Sequence, residues 1–380
     1  MSRFLFVVPP LAAHANPAAA VSRALAGRGH EVAWVGSERY FRPLVGPDAT
    51  VFGTGLRPYR GQRDRGLRAV RSLWDDFVVP FNAAVAPGVE TAAEEYRPDV
   101  VVADQHAIAG GLVAQRRGLR WASLAPTQME SARPFRDLPR VEQWIDSRLA
   151  AAAEKILGAA PWHDPRFSPH LVIDFTTPEL TGRQDPSARL APVGPAVGTR
   201  PVVPDFPWSA LDPGRRLVLV TIGTVATDLG REFFARVIRA LEPLAGRVQA
   251  VVNTAPALVP DPPPYVLVVP KAPILDLLPR VDAMICHGGM STTCEALLNG
   301  VPLVVAPIKY DHPIVAGQIV AAGAGQRRHF HRATAGQFTE SLETVLDDPA
   351  YRAAAERIGA SFTAAGGAEA AAGRLEQLAA

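Results

Sequence analysis

One pattern constrains this chain more than any other. Strands alternate with helices through the first half, the alternation stops at a proline-rich stretch, and it then starts again. Phe4–Val8, Glu31–Val35, Val100–Ala103, Trp121–Leu124 and Leu171–Asp174 are short apolar runs, with helical patterns over Pro17–Gly27, where Asn16 fits an N-cap, and Ala109–Arg117. Strands separated by helices pair in parallel through right-handed crossovers, so this half predicts a parallel sheet covered by helices. Between Pro192 and Arg215, six prolines and three glycines predict a stiff linker. The alternation resumes with strands at Leu217–Ile222, Val248–Val252, Val266–Val269, Ala283–Cys286 and Leu303–Ala306. Helices are expected over Asp228–Leu241, Ser291–Asn299, Pro313–Ala322 and Gly336–Leu346, with an alanine-rich helical end after Ala350. The expected organisation is an N-terminal domain over 1–195, a linker over 196–214 and a C-terminal domain over 215–380, with a last helix able to pack back on the first domain. Open parallel sheets bind ligands beyond the carboxyl ends of their strands, so two of them predict a cleft between those ends.

Composition removes several alternatives. A formal net charge of +2 gives no general electrostatic case for nucleic acid. No apolar run nears the ~20 residues of a membrane span. Pro9-Pro10 interrupts the apolar start before it resembles a signal peptide, so a cytoplasmic protein is expected. Cys286 and Cys294, with seven residues between them, match neither a disulfide framework nor a zinc spacing, and read as small buried residues. Neither half carries the GxGxxG fingerprint of nicotinamide and flavin proteins.

The segment that carries chemistry is His287-Gly288-Gly289-Met290-Ser291-Thr292-Thr293-Cys294-Glu295, which follows a predicted strand and opens a predicted helix. Two glycines allow a ligand close to the backbone, and the first-turn N–H groups and the helix dipole favour an anion there. Ser291, Thr292 and His287 add side-chain donors, a set that suits a diphosphate. Glu295, one turn on, is placed to accept hydrogen bonds from ribose hydroxyls. Asn299-Gly300-Val301-Pro302 then ends the helix, and Pro307-Ile308-Lys309-Tyr310-Asp311-His312 closes the next strand with polar groups suited to sugar hydroxyls.

In order and spacing, His287 to Asp311 resembles the nucleotide-sugar signature of the GT-B inverting glycosyltransferases of the UDP-glycosyltransferase and macrolide-glycosyltransferase type. The resemblance runs over essentially the whole chain. It implies an α/β fold of two Rossmann-like parallel-sheet domains, with His287, Gly289, Ser291 and Thr292 on the diphosphate, Glu295 on the ribose and Asp311 on the donor sugar. Thr221-Ile222-Gly223-Thr224 is similar to the family's first C-domain loop, with Thr224 at the phosphates or sugar. The run from Val268 to Pro273 is similar to the loop that cradles the base. His312 stands where the family usually has Gln, a position tied to sugar choice, which widens the expected donor from glucose to other hexoses, deoxyhexoses included.

In the N-terminal half, Ala13-His14-Ala15-Asn16-Pro17 resembles the family's turn bearing the catalytic base, with Ala13 in place of Gly. Val101-Val102-Ala103-Asp104 resembles the strand end bearing that base's partner. The resemblance therefore implies His14 as general base, oriented by Asp104, with His106 nearby but outside the catalytic set. The leaving diphosphate has donors to meet it, and the chain has no Asp-x-Asp pair, so no metal and no cofactor beyond the nucleotide-sugar substrate are expected. Trp74, Phe77 and Phe81, spaced for one helix face, with Met129, Phe135 and Trp144, read either as core or as the wall of an apolar acceptor site. The arginines at 57, 60, 63, 65, 68 and 71 read as a solvated stretch or an attraction for anions. The function expected is transfer of a hexose from a UDP- or dTDP-sugar to a small, largely apolar aglycone. A nucleotide-sugar epimerase and a non-catalytic nucleotide-sugar-binding partner protein are the alternatives.

Overall fold

A computed structural model of the chain describes residues 1–55, 64, 66–158, 162–182, 189–198, 200, 203, 205–223 and 230–380. It divides into two units, one of Met1–Thr177, Gln184–Thr199 and Ala364–Ala380, the other of Pro178–Arg183 and Arg200–Thr363.

In the first unit, seven parallel strands run in the order β3-β2-β1-β4-β5-β6-β7: β1 Arg3–Val7, β2 Glu31–Gly36, β3 Thr50–Gly53, β4 Val100–Asp104, β5 Arg120–Ala125, β6 Leu171–Asp174 and β7 Leu190–Pro192. The central strands are apolar on both faces because both faces are covered. Phe4, Phe6, Val100 and Val102 pack under helix Ala12–Gly27, whereas Val7 and Ala103 lie against Gly110, where a Cβ would stand 2.8 Å from that of Ala103. Helix Ala12–Gly27 starts four residues before the Asn16 cap expected, because Ala12, Ala13 and Ala15 propagate helix readily and Leu11 occupies the cap. His14 thus rides in a helical first turn. The last helix, Gly367–Ala379, belongs to this unit and is tied to Arg28 by Glu369 at 2.6 Å and Glu376 at 2.7 Å.

The second unit repeats the plan with six strands in the order β10-β9-β8-β11-β12-β13: β8 Arg216–Thr221, β9 Val248–Asn253, β10 Val266–Val269, β11 Ala283–Cys286, β12 Leu303–Val305 and β13 Gly325–Arg327. Its two core layers lie on opposite faces of the sheet, one around Leu219, Met284 and Leu303, the other around Val218, Val220 and Ile285. In each sheet the chain starts in the middle, moves outward for three strands, then returns to the other side of the first strand. The reversal falls between β1 and β4 in one sheet and between β8 and β11 in the other. Loops leave such a reversal in opposite directions, and the space between them is where doubly wound sheets hold ligands. No helix among the described residues is long and apolar enough to cross a membrane.

Candidate functional site

Each reversal point carries a cluster of polar side chains. In the first unit, His14 follows β1 and Asp104 is the last residue of β4, whose Ala103 pairs with Val7 of β1. Parallel pairing thereby joins two residues 90 apart in sequence: His14 Nδ1 and Asp104 Oδ2 lie 2.9 Å apart, both buried. A carboxylate beside Nδ1 fixes the proton there and leaves Nε2 as the basic nitrogen. Asp104 is itself held, because its Oδ1 accepts the His106 N–H at 2.8 Å. Asn82 pins the following turn, donating to the His106 carbonyl and accepting the Ala109 N–H, each at 2.8 Å.

Sequence reasoning set His106 aside, yet its ring lies 5.1 Å from that of His14. His106 Nε2 is 3.5 Å from Glu130 Oε1, and Glu130 accepts from Arg166 at 2.7 Å. Burial pushes the Glu130 carboxyl up, but Arg166 and His106 together hold it below the usual carboxylate range. Gln105, between Asp104 and His106, is buried with neither end of its amide hydrogen-bonded. The ligand-capable atoms of His14, Asp104 and His106 lie within 4.8 Å of one another, the one grouping of three among the described residues with the spacing to hold a metal ion.

The aromatic stripe is core. Trp74, Phe77 and Phe81 are buried, and the Phe77 and Phe81 rings stack at 5.5 Å. A π-helical turn over Leu73–Val78 carries the first two, an irregularity frequent beside functional sites. Met129 is buried, and Phe135 and Trp144 are half-buried. Of the arginine stretch, positions 57, 60, 63 and 65 lie outside the described residues; Arg68 is exposed, and Arg71 pairs with Asp75 at 3.2 Å.

In the second unit, β8 ends at Thr221 and β11 at Cys286, register partners, and the loops beyond them meet through His287. The His287 ring fills the space two glycines leave. A Cβ on Gly223, at φ +71°, would stand 2.8 Å from His287 Cε1, and one on Gly289 would stand 2.5 Å from Nε2. Gly289 is the N-cap of helix Met290–Leu298 and no side chain caps it, so an anion can approach the first-turn amides bearing Ser291 and Thr292, both half-buried. Burial pushes the His287 imidazole down to about 4. The His312 ring meets that of His287 edge-on at 4.6 Å and is held well below the ordinary histidine range by burial, by His287 and by Lys309. The Lys309 N–H donates to His312 Nδ1 at 3.3 Å, so the neutral ring carries its proton on Nε2. Asp311 is buried, preceded by Tyr310 at φ +56°, a left-handed backbone costly for a tyrosine and common where a loop is held in one functional shape.

Glu295 is buried one turn further along this helix and receives the guanidinium of Arg200. Val268 stands half-buried on edge strand β10, paired with Val252 and separated from β11 by β9 and β8. Thr224 lies outside the described residues. The structure therefore brings together His287, Gly289 and His312, and separately His14 and Asp104, within their own units.

Comparison with known proteins gives this geometry a setting. Residues 246–378 match the family described as "Erythromycin biosynthesis protein CIII-like, C-terminal domain". The chain is 28% identical over 415 aligned positions to 4'-demethylrebeccamycin synthase of Lentzea aerocolonigenes, covering 96% of each. The solved glycosyltransferase of kitacinnamycin superposes with a TM-score of 0.79 at 23% identity, covering 99% of this chain and 98% of that one, a likeness of fold. Spinosyn rhamnosyltransferase SpnG has been solved with spinosyn aglycone, at a TM-score of 0.77 and 26% identity, covering 99% of this chain and 100% of that one. It has also been solved with thymidine diphosphate, at 0.74 and 25%, with the same coverage. The two parallel-sheet units have the GT-B fold of such solved structures.

Proposed function

We propose that this chain, a GT-B protein with an EryCIII-like C-terminal domain and homologues among the natural-product glycosyltransferases, moves a hexose or deoxyhexose from a nucleoside diphosphate to a small, largely apolar acceptor, with inversion at the anomeric carbon. The observation that carries the reading is the 2.9 Å bond between His14 Nδ1 and Asp104 at the reversal point of the first sheet. It leaves a buried basic nitrogen, the group an attacking hydroxyl needs. His14 Nε2 takes the proton of the acceptor hydroxyl, and Asp104 stabilises the imidazolium that forms. The acceptor oxygen attacks the anomeric carbon from the face opposite the diphosphate, the bond to the diphosphate breaks, and its electron pair leaves on phosphate oxygen. That charge is met by the first-turn amides at Met290, the hydroxyls of Ser291 and Thr292, and a neutral His287 acting as hydrogen-bond donor. The donor sugar hydroxyls bond to Asp311 and to the Nε2–H of His312, a donor with a shorter reach than an amide. Gln105 receives a polar group of the acceptor.

Thymidine is the first base to test, because SpnG was solved with its diphosphate. The test is product analysis by NMR after incubation with α-linked dTDP- and UDP-sugars and a panel of phenolic and macrolide acceptors. A β-linked product is expected. An α-linked product overturns inversion, and deuterium entering a sugar carbon with no acceptor consumed would instead indicate an epimerase.

A further inference from the structure

Glu295 is a carboxylate in an awkward place. It is 5% exposed, on the helix that opens at the diphosphate loop, and burial pushes its carboxyl up toward the neutral acid, with Arg200 acting the other way. A neutral acid accepts hydrogen bonds less strongly than a carboxylate does. Arg200 comes from 95 residues earlier, at the start of the second unit's longer segment, and its Nη2 donates to Glu295 Oε1. One oxygen of the carboxylate is thereby committed, while the other keeps its lone pairs for a ligand.

We propose that Arg200 is a positioning residue for nucleotide binding: its guanidinium engages one oxygen of Glu295 and leaves the other, charged, to accept the ribose hydroxyls of a nucleoside diphosphate. The inference rests on the nucleotide-sugar reading above. Arginine suits the task better than lysine, because its planar fork fixes the carboxylate's orientation as well as its charge. Among the described residues, Arg200 is the charged group that acts on Glu295. At the head of the helix, burial pushes the Cys286 thiol up to about 11 and His287 down to about 4, so these two groups stay neutral around pH 7. Arg352 and Glu356 lie at the helix's far end, beside Gly300.

The test is calorimetric titration of UDP and dTDP into wild type, Arg200→Met, Arg200→Lys, Glu295→Gln and the Arg200→Met/Glu295→Gln double variant, between about pH 6 and pH 9 with every affinity taken relative to wild type at that pH. Arg200→Met is expected to bind about tenfold more weakly near neutral pH, because the carboxylate loses its fixed orientation and burial, which favours the neutral acid, acts unopposed. The loss shrinks as pH rises, because a carboxyl deprived of its cation ionises later. Arg200→Lys recovers part of the affinity. The double variant binds no worse than Glu295→Gln alone, since Arg200 acts through that carboxylate. Unchanged affinity in Arg200→Met, or a loss fully additive with Glu295→Gln, overturns the proposal. Should Arg200→Met fail to fold, Arg200→Lys and Glu295→Gln decide it: a lysine variant equal to wild type at every pH, or a Glu295→Gln variant that keeps full affinity, overturns it equally. A folded wild type that binds neither nucleotide overturns the nucleotide reading itself.

Discussion

At the reversal point of the first sheet a histidine meets a carboxylate; at the reversal point of the second, a histidine meets two glycines and another histidine. Over their first six strands the two sheets follow the same order, and each histidine follows a central strand. What differs is the partner. His14 has the Asp104 carboxylate at 2.9 Å, which orients the ring. His287 has an imidazole edge-on at 4.6 Å and burial that holds it down to about 4, so it stays a neutral donor. One topology thus supplies two positions, and the side chain facing the histidine decides whether the position suits proton transfer or hydrogen bonding.

The comparison breaks most visibly at His14. His14→Ala is expected to lower turnover by roughly 10²–10⁴ while leaving nucleotide affinity nearly intact. Steady-state rates at saturating donor, beside a nucleotide titration, check both halves. Asp104→Asn is expected to cost less than His14→Ala, because the base remains but loses its orienting charge; an equal loss would mean that His14 cannot act as a base without the carboxylate that fixes its tautomer.

The reverse pattern is expected at the second reversal point. Gly289→Ala drives a Cβ to 2.5 Å from His287 Nε2, so nucleotide affinity should fall by about tenfold with little change in turnover at saturating donor. A variant with wild-type affinity would remove His287 from the diphosphate site. A smaller effect is expected in stability against pH. His287 is depressed from an ordinary 6.5 to about 4, so the unfolded chain takes up its proton first as pH falls. The stability its neutral form contributes is complete above 6.5 and is lost as pH falls through the window down to about 4. Melting curves should show a shallower fall in that window for His287→Gln than for wild type. The smallest effect lies outside both sites: Thr334→Ala removes the capping box of helix Ala335–Asp347, at a cost of about 1 kcal/mol in stability and nothing in turnover.

How much was legible from sequence follows from how local each feature is. The segment from His287 to Asp311 is continuous, and Gly288 and Gly289 stand where a Cβ would strike Val305 and His287, so residue type and place correspond. His14 and Asp104 are far apart in sequence; alternating strands forecast a parallel sheet, the family resemblance linked the two residues, and the β1–β4 pairing that joins them comes from the structure. The edge strands β3, β7 and β13 went unread because Thr50–Gly53, Leu190–Pro192 and Gly325–Arg327 are short and carry few apolar residues. The chain from His106 through Glu130 to Arg166 joins three distant segments with no periodicity to reveal it, and the same holds for Arg200 on Glu295. Trp74, Phe77 and Phe81 show the limit of spacing, since a buried helix face has one rhythm whether it meets core or ligand.

Glycosyl transfer by this chain requires the second unit to bind a nucleoside diphosphate. The direct measurement is a thermal-shift titration of the purified protein with dTDP and UDP. One of them, at 100 times its dissociation constant, is expected to stabilise the fold by about 2.7 kcal/mol. A folded sample whose melting temperature moves with neither nucleotide would contradict that binding.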